Sequence, residues 1–175
     1  MLAIGWLLWF LPFALNGWNF KPPERQDRRA RWGLLLQAIA YSLLWQSSFW
    51  LRSLTLWRTA LATLFFLFAA GLSWAGVRAL GKNLRFDAAI GVDHQLVQSG
   101  VYQWLRHPIY ASMFCLLLAT GFLFTPALLL LIAVVVFIVG TEIRVRIEDA
   151  LLLSRYGELA REYQRSVSAY LPLLR

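Results

Sequence analysis

The chain has 175 residues, 59% of them hydrophobic, with a mean hydropathy of +0.57 and a formal net charge of +8. Apolar runs recur along most of its length, well above the ~45–50% apolar content of a soluble domain, which excludes a soluble domain with one anchor. Its single Cys excludes a disulfide framework and a Cys-rich metal site, and its basic residues flank the apolar runs, as suits anionic headgroups and not nucleic acid.

The first apolar segment, about residues 2–18, starts at Met1 with no basic n-region and no small-residue cleavage site, so it reads as a retained helix. A loop with Lys21, Arg25, Arg28, Arg29 and Arg31 leads to a second segment at 33–51. A short turn with Arg52 and Arg58 precedes the third at 57–79, and a long polar loop follows over 80–107. The fourth and fifth segments, 108–123 and 126–147, are joined by the tight turn Gly121 to Pro126, and a polar tail ends the chain. All five lie near the ~17–25 residues needed to span a bilayer. The nine Trp and six Tyr suit many interfacial positions.

Alternate loops differ in charge. Fifteen Lys and Arg fall in the first and third loops and the tail region, against two in the second loop and none in the fourth. That asymmetry predicts a cytoplasmic C-terminus and an N-terminus outside. The expected fold is all-α and polytopic, with five transmembrane helices, a C-terminal helical hairpin and a cytoplasmic cofactor pocket. It is one membrane domain, 1–175, with N-terminal helices over 1–79 and the loop, hairpin and tail over 80–175. The hairpin brings Arg106 and His107 at its start beside Arg144 and Glu148 at its end.

Ionisable groups near lipid cost roughly 2.5–3.5 kcal/mol each at a helix centre, so those retained there point to function. Pro108 suits a first helical turn and pushes His107 toward extended backbone. Arg106 and His107 therefore stand before a helix N-terminus, where an anion is favoured. The simpler alternative is a cap at headgroup level. Arg144 and Glu148 are i,i+4 neighbours, whereas Glu142, Arg146 and Asp149 share another face at i, i+4 and i+7. They form either compensating salt bridges or a pocket using both signs of charge. Beyond them, residues 151–172 read as helix, a break at Gly157, then a short amphipathic helix ended before Pro172, the plain reading being an interfacial helix. No P-loop or Rossmann signature occurs. His94 and His107 are the only histidines and lack His-x-x-x-His spacing, so no metal site is expected.

Several short motifs stand in order: His94-Gln-Leu-Val97, Ser99-Gly-Val-Tyr102, Arg106-His-Pro-x-Tyr110, Arg144-x-x-x-Glu148-Asp149, and Tyr156-Gly157 followed by Tyr163. Together, over about residues 80–172, they resemble the isoprenylcysteine carboxyl methyltransferase family of integral membrane enzymes. The resemblance implies S-adenosylmethionine bound without a Rossmann domain. It places His94, Gln95, Leu96, Val97 and Tyr102 against that cofactor, continued by His107, Pro108, Ile109 and Tyr110, with Glu148 holding a polar part. Arg144 matches the family's substrate-contacting Arg, and is thereby the catalytic and substrate-binding candidate. Asp87 falls where some members carry a Gln. The chain looks like the short prokaryotic type, which implies a multi-pass protein of the cell inner membrane, or of the endoplasmic reticulum in a eukaryote.

The expected acceptor is a prenylcysteine-like or other lipophilic carboxylate, a small molecule or a prenylated substrate, meeting the enzyme among membrane lipid. Two other readings stay open on the sequence: a phospholipid N-methyltransferase with an amine acceptor, and a non-catalytic membrane protein whose charges anchor helices.

Overall fold

The computed structural model describes residues 1–16, 23–45, 55–91 and 94–170. Among these the chain is mostly helical: α1 Leu2–Asn16, α2 Ala30–Ser42, α3 Leu56–Leu80, α4 Pro108–Phe124, α5 Ala127–Tyr156 and α6 Glu158–Ser166. Two stretches, Leu56–Asn83 and Ala127–Tyr156, are long and apolar enough to cross a bilayer, while α1 and α4 are shorter apolar helices. At 15 and 13 residues, α1 and α2 reach only ~20–23 Å at 1.5 Å per residue. Positions 17–18 and 46–51 of the first two expected segments lie outside the described residues, as do Lys21, Arg52, Pro172 and Arg175.

Helix α5 runs on to Tyr156, past the expected end at 147, so its charged cluster sits within one continuous helix. Gly157, at φ 58°, then breaks the path and α6 begins. A side chain is strained in that left-handed region, and Gly is not. Helix α6 is no free interfacial helix: Ala160 and Tyr163 on its inner face are buried against the protein.

Helix α4 packs chiefly along α3, and α5 along α2. The α2–α5 crossing depends on two glycines. A Cβ on Gly33 would stand 2.4 Å from the Gly140 carbonyl oxygen, and one on Gly140 would stand 2.7 Å from that of Gly33. Small residues let helix backbones approach where lipid supplies no hydrophobic drive. Tryptophans also tie helices together: the Trp6 indole N–H donates to Thr120 Oγ1 and that of Trp9 to Ser112 Oγ, fastening α1 to α4. Other indoles, Trp32, Trp57 and Trp104, are exposed. Arg58, from the charge-poor side, donates to the carbonyls of Phe122 and Thr125 at the end of α4, where free carbonyls favour a cation.

One departure from an all-helical chain is a small antiparallel ladder, β1 Arg25–Gln26 against β2 Ala89–Ile90. It draws the polar loop across the same end of the bundle as α6. A second pairing is parallel: the amides of Arg106 and His107 donate to the carbonyls of Ser168 and Ala169 at 2.9 and 2.8 Å. The segment after α6 thus straps down the entry to α4, anchored by the buried Tyr170.

Candidate functional site

These elements enclose a cavity of about 330 Å³ between α1, α2, α4, α5 and the loop residues 83–90 and 94–97. That lies within the ~300–1,000 Å³ of small-molecule sites. Its wall divides into a polar end and an apolar arm.

The polar end is organised around His107, whose backbone (φ −128°, ψ 61°) caps α4 directly ahead of Pro108. The imidazole faces two carboxylates, Nε2 lying 3.0 Å from Asp149 Oδ1 and Nδ1 3.5 Å from Glu148 Oε2. Burial would lower the pKa of His107, but the hydrogen bonds and charges of Asp149 and Glu148 outweigh it and raise the pKa to about 9. With both nitrogens turned to acceptors, the ring is held as imidazolium at neutral pH. The other histidine, His94, shifts down, through burial and then the charges of Arg85 and Arg155.

Arg144 is buried beside it. Its Nε donates to the Tyr110 hydroxyl at 2.7 Å, one Nη to the Phe86 carbonyl at 2.9 Å, and the same Nη lies 3.4 Å from Glu148. Tyr110 donates in turn to Glu148 Oε1 and stacks on His107. Its ring also lies under the Arg144 guanidinium, 5.5 Å from the centroid. Hydrogen bonds to charged groups contribute ~1.5–3 kcal/mol each, so this cluster holds its members in fixed geometry.

Most of the sequence-derived candidates meet here: His94, Gln95, Leu96, Val97, Tyr102, His107, Ile109, Tyr110, Arg144 and Glu148 all line the cavity. Pro108 does not. It is buried against α3, where a Cβ on Gly76 would meet its ring at 3.4 Å, and it sets the helix start without facing the cavity. Asp87 lies on the wall, ion-paired to Arg85 at 2.9 Å.

The face assigned to Asp149 is corrected. Glu142 and Arg146 pair on the exposed side, but Asp149 binds His107 and Arg106, the latter at 3.1 Å. Seven residues set Asp149 ~10.5 Å along the axis from Glu142, level with the entry to α4, where Arg106 and His107 stand. The site also recruits residues with no obvious sequence signal. Asn83 accepts from the Gln95 amide, and Gln164 gives its carbonyl to Arg106. The tyrosines of the last motif do have a signal in their spacing across Gly157. Tyr156 donates to the His94 carbonyl and Tyr163 to that of Tyr102, each at 2.6 Å, so the helix end and α6 pin the loop that forms the cavity wall.

The apolar arm is formed by Trp9, Phe10 and Phe13 of α1 with Leu34 of α2 and Met113 of α4. One turn before the arm on α1, Trp6 packs edge-on against Tyr41 of α2 and near Trp45.

A family model described as the isoprenylcysteine carboxyl methyltransferase (ICMT) family matches residues 61–154, from α3 through nearly all of α5. Protein-S-isoprenylcysteine O-methyltransferase of Saccharomyces cerevisiae is 33% identical over 82 residues, 47% of this chain and 34% of that protein. The protein of the same name from Schizosaccharomyces pombe is 30% identical over 105 residues, 60% of this chain and 41% of that one. The matches therefore span well under half of these relatives. A solved structure of the eukaryotic intramembrane Ras methyltransferase ICMT superposes with a TM-score of 0.71 at 19% identity, covering 98% of this chain and 63% of that chain, and so shares its fold. The matched segment carries every cavity residue from His94 to Glu148, and on that ground the chain belongs to the isoprenylcysteine carboxyl methyltransferase family.

Proposed function

We propose that the chain is an S-adenosylmethionine-dependent membrane methyltransferase that esterifies the carboxylate of a lipophilic, isoprenylcysteine-like acceptor. It crosses the bilayer five times, with the cavity at the cytoplasmic boundary. The relatives' names supply the reaction class, and the charge asymmetry supports the orientation.

The residues present suit the cofactor. Arg106 Nε is buried without a hydrogen-bond partner among the described residues and belongs to a side chain on the cavity wall. It suits a carboxylate, Glu148 suits an ammonium or a ribose hydroxyl, and the 94–97 segment lines the wall beside them. When bound, the cofactor supplies an electrophilic methyl group on a sulfonium.

The observation that carries the choice of acceptor is the double capping of His107 by carboxylates. An amine acceptor must lose a proton before transfer. The imidazolium has no free lone pair to accept it, and Glu148, facing His107 and Arg144 and hydrogen-bonded by Tyr110, is a weak base. A carboxylate is already ionised at neutral pH and asks for no base. Arg144 captures and orients it, and the apolar arm takes the hydrocarbon chain directly from the bilayer. Because attraction to Arg144 weakens as the ester forms, its contribution is positioning.

The test is methyl transfer by the purified protein to S-farnesylcysteine analogues as free acids, as the matching amides, and to phosphatidylethanolamine. Only the acids should be methylated. Arg144→Lys, which keeps the charge but loses the fork, should impair turnover and leave cofactor affinity nearly intact. Equal use of acid and amide, or methylation of phosphatidylethanolamine alone, would overturn the carboxylate reading.

A further inference from the structure

The outward face of α2 is arranged along one line. Arg28, in the turn leading into the helix, is followed at three- and four-residue spacing by Arg31, Trp32, Leu35 and Ile39, and all five are exposed. The opposite face, with Ala30, Gly33, Gln37 and Ala40, is buried. From Arg28 to Ile39 the line runs ~16.5 Å at 1.5 Å per residue, close to half of the ~30 Å hydrocarbon core of a bilayer. It therefore has the length of one leaflet, with arginines at its cytoplasmic end, an indole below them and aliphatic side chains deepest.

These two arginines are uncompensated. Elsewhere at this end of the bundle guanidinium groups meet carboxylates, Arg29 at Asp27, Arg146 at Glu142 and Arg155 at Glu24. Arg28 and Arg31 have no ion-pair partner among the described residues, and the first turn of α2 holds no acidic residue. Arg31 lies over the Trp32 ring, 5.5 Å from its centroid. Stacking takes the flat face of the guanidinium and leaves its N–H edge open to a phosphate. Two guanidinium groups attract a phosphate and repel the ammonium of a zwitterionic headgroup, so the pair selects for a headgroup of net negative charge.

The line adjoins the acceptor's arginine. Gly33, two residues after Arg31, packs on Arg144, where a Cβ would meet Cγ at 2.6 Å, and Leu34 lines the apolar arm. We propose that the start of α2 binds an anionic phospholipid of the cytoplasmic leaflet, its phosphate held by Arg28 and Arg31 and its chain lying along Trp32, Leu35 and Ile39, and that this lipid fastens α2 against Arg144 and so supports capture of the acceptor. The lipid site stands without the carboxylate reading above; its effect on turnover rests on that reading.

The experiment purifies the full chain in mild detergent with equal amounts of phosphatidylglycerol and phosphatidylcholine and reads the retained lipid by native mass spectrometry. Phosphatidylglycerol should be retained roughly tenfold over phosphatidylcholine, the effect of two basic side chains at an anionic headgroup. The double variant Arg28→Gln, Arg31→Gln, altered only at exposed side chains, should retain the two alike. Turnover of S-farnesylcysteine acid is then compared in vesicles of phosphatidylcholine alone and with one part in five of phosphatidylglycerol. In the mixed vesicles the unaltered protein should show a KM roughly fivefold below that of the variant, the low end of coupling between two sites. In phosphatidylcholine alone the two should be equal, and S-adenosylmethionine affinity should be equal throughout. Equal retention of the two lipids, or a preference that survives in the variant, would overturn the site. A KM difference that persists in phosphatidylcholine alone, or a loss of cofactor affinity in the variant, would make the arginines structural and overturn it too. Equal KM in the mixed vesicles would overturn the fastening of α2. A farnesylated acidic peptide favoured over its neutral form in phosphatidylcholine, by the unaltered protein and not by the variant, would assign the arginines to a polypeptide instead. Methylation in none of the vesicles would overturn the carboxylate reading, while the retained lipid would still decide the site.

Discussion

Asp149→Asn isolates the electrostatic core of the site, because it keeps the side chain's volume and removes its charge. Asp149 accepts from His107 Nε2 at 3.0 Å and from Arg106 at 3.1 Å, with 16% of its side chain exposed. In the folded protein His107 titrates at about 9, against an ordinary 6.5. A pKa raised on folding stabilises the fold fully below pH 6.5, and that contribution is lost as pH rises through 9. At 1.36 kcal/mol per unit the shift corresponds to about 3 kcal/mol. Breaking a buried ion pair on one side costs a similar ~3–5 kcal/mol. The variant should therefore be about 2–3 kcal/mol less stable than the unaltered protein at pH 6, and the difference should shrink by pH 10. With two histidines in the chain, ring-nitrogen-labelled His gives two pairs of imidazole resonances in micelles. One should titrate near pH 9 and the other, from His94, below the ordinary value. In Asp149→Asn the upper titration should fall by a unit or more. An upper titration that does not move, or a stability of the unaltered protein that is flat between pH 6.5 and 9, would refute the reasoning.

Further outcomes follow from the same geometry. Gly140→Ala places a Cβ 2.7 Å from the Gly33 carbonyl oxygen and 2.8 Å from Leu36 Cβ, so it should cost about 1–3 kcal/mol as an overpacked contact. An unchanged melting temperature would show that the helices part freely. His107→Ala and Glu148→Ala should each weaken S-adenosylmethionine binding by about 1–3 kcal/mol, and unaltered calorimetric affinity in both would remove them from the cofactor site. Reporter fusions after residues 53 and 175 should report opposite sides of the membrane. The same side for both would contradict five crossings.

The hairpin was legible because Pro108 and Pro126 punctuate two apolar runs, and Gly157 marked the break after α5. Residues on consecutive turns of one helix, such as Arg144 and Glu148, could be paired by spacing alone. Contacts made across the chain could not. Two-residue strands carry no periodicity, so the β1–β2 ladder left no trace. The pairing of Leu105 with Ser168 fixes His107 through backbone groups that every sequence possesses. Asp149 was placed with Glu142 by angle, but the entry to α4, held down by the strap, brings Arg106 and His107 against it. Gln37 is one polar residue in an apolar run, and its contact with Thr141 of α5 exists only through the Gly33–Gly140 crossing.

The central claim is that the methyl group ends on a carboxyl oxygen. The most direct measurement incubates membranes containing the protein with methyl-labelled S-adenosylmethionine and a farnesylcysteine acid, then treats the extracted product with alkali. A methyl ester releases its label as volatile methanol, and the account predicts that nearly all the label is lost in this way and that Arg144→Lys membranes yield little of it. Label that stays with the lipid after alkali would place the methyl on nitrogen or carbon and contradict the account.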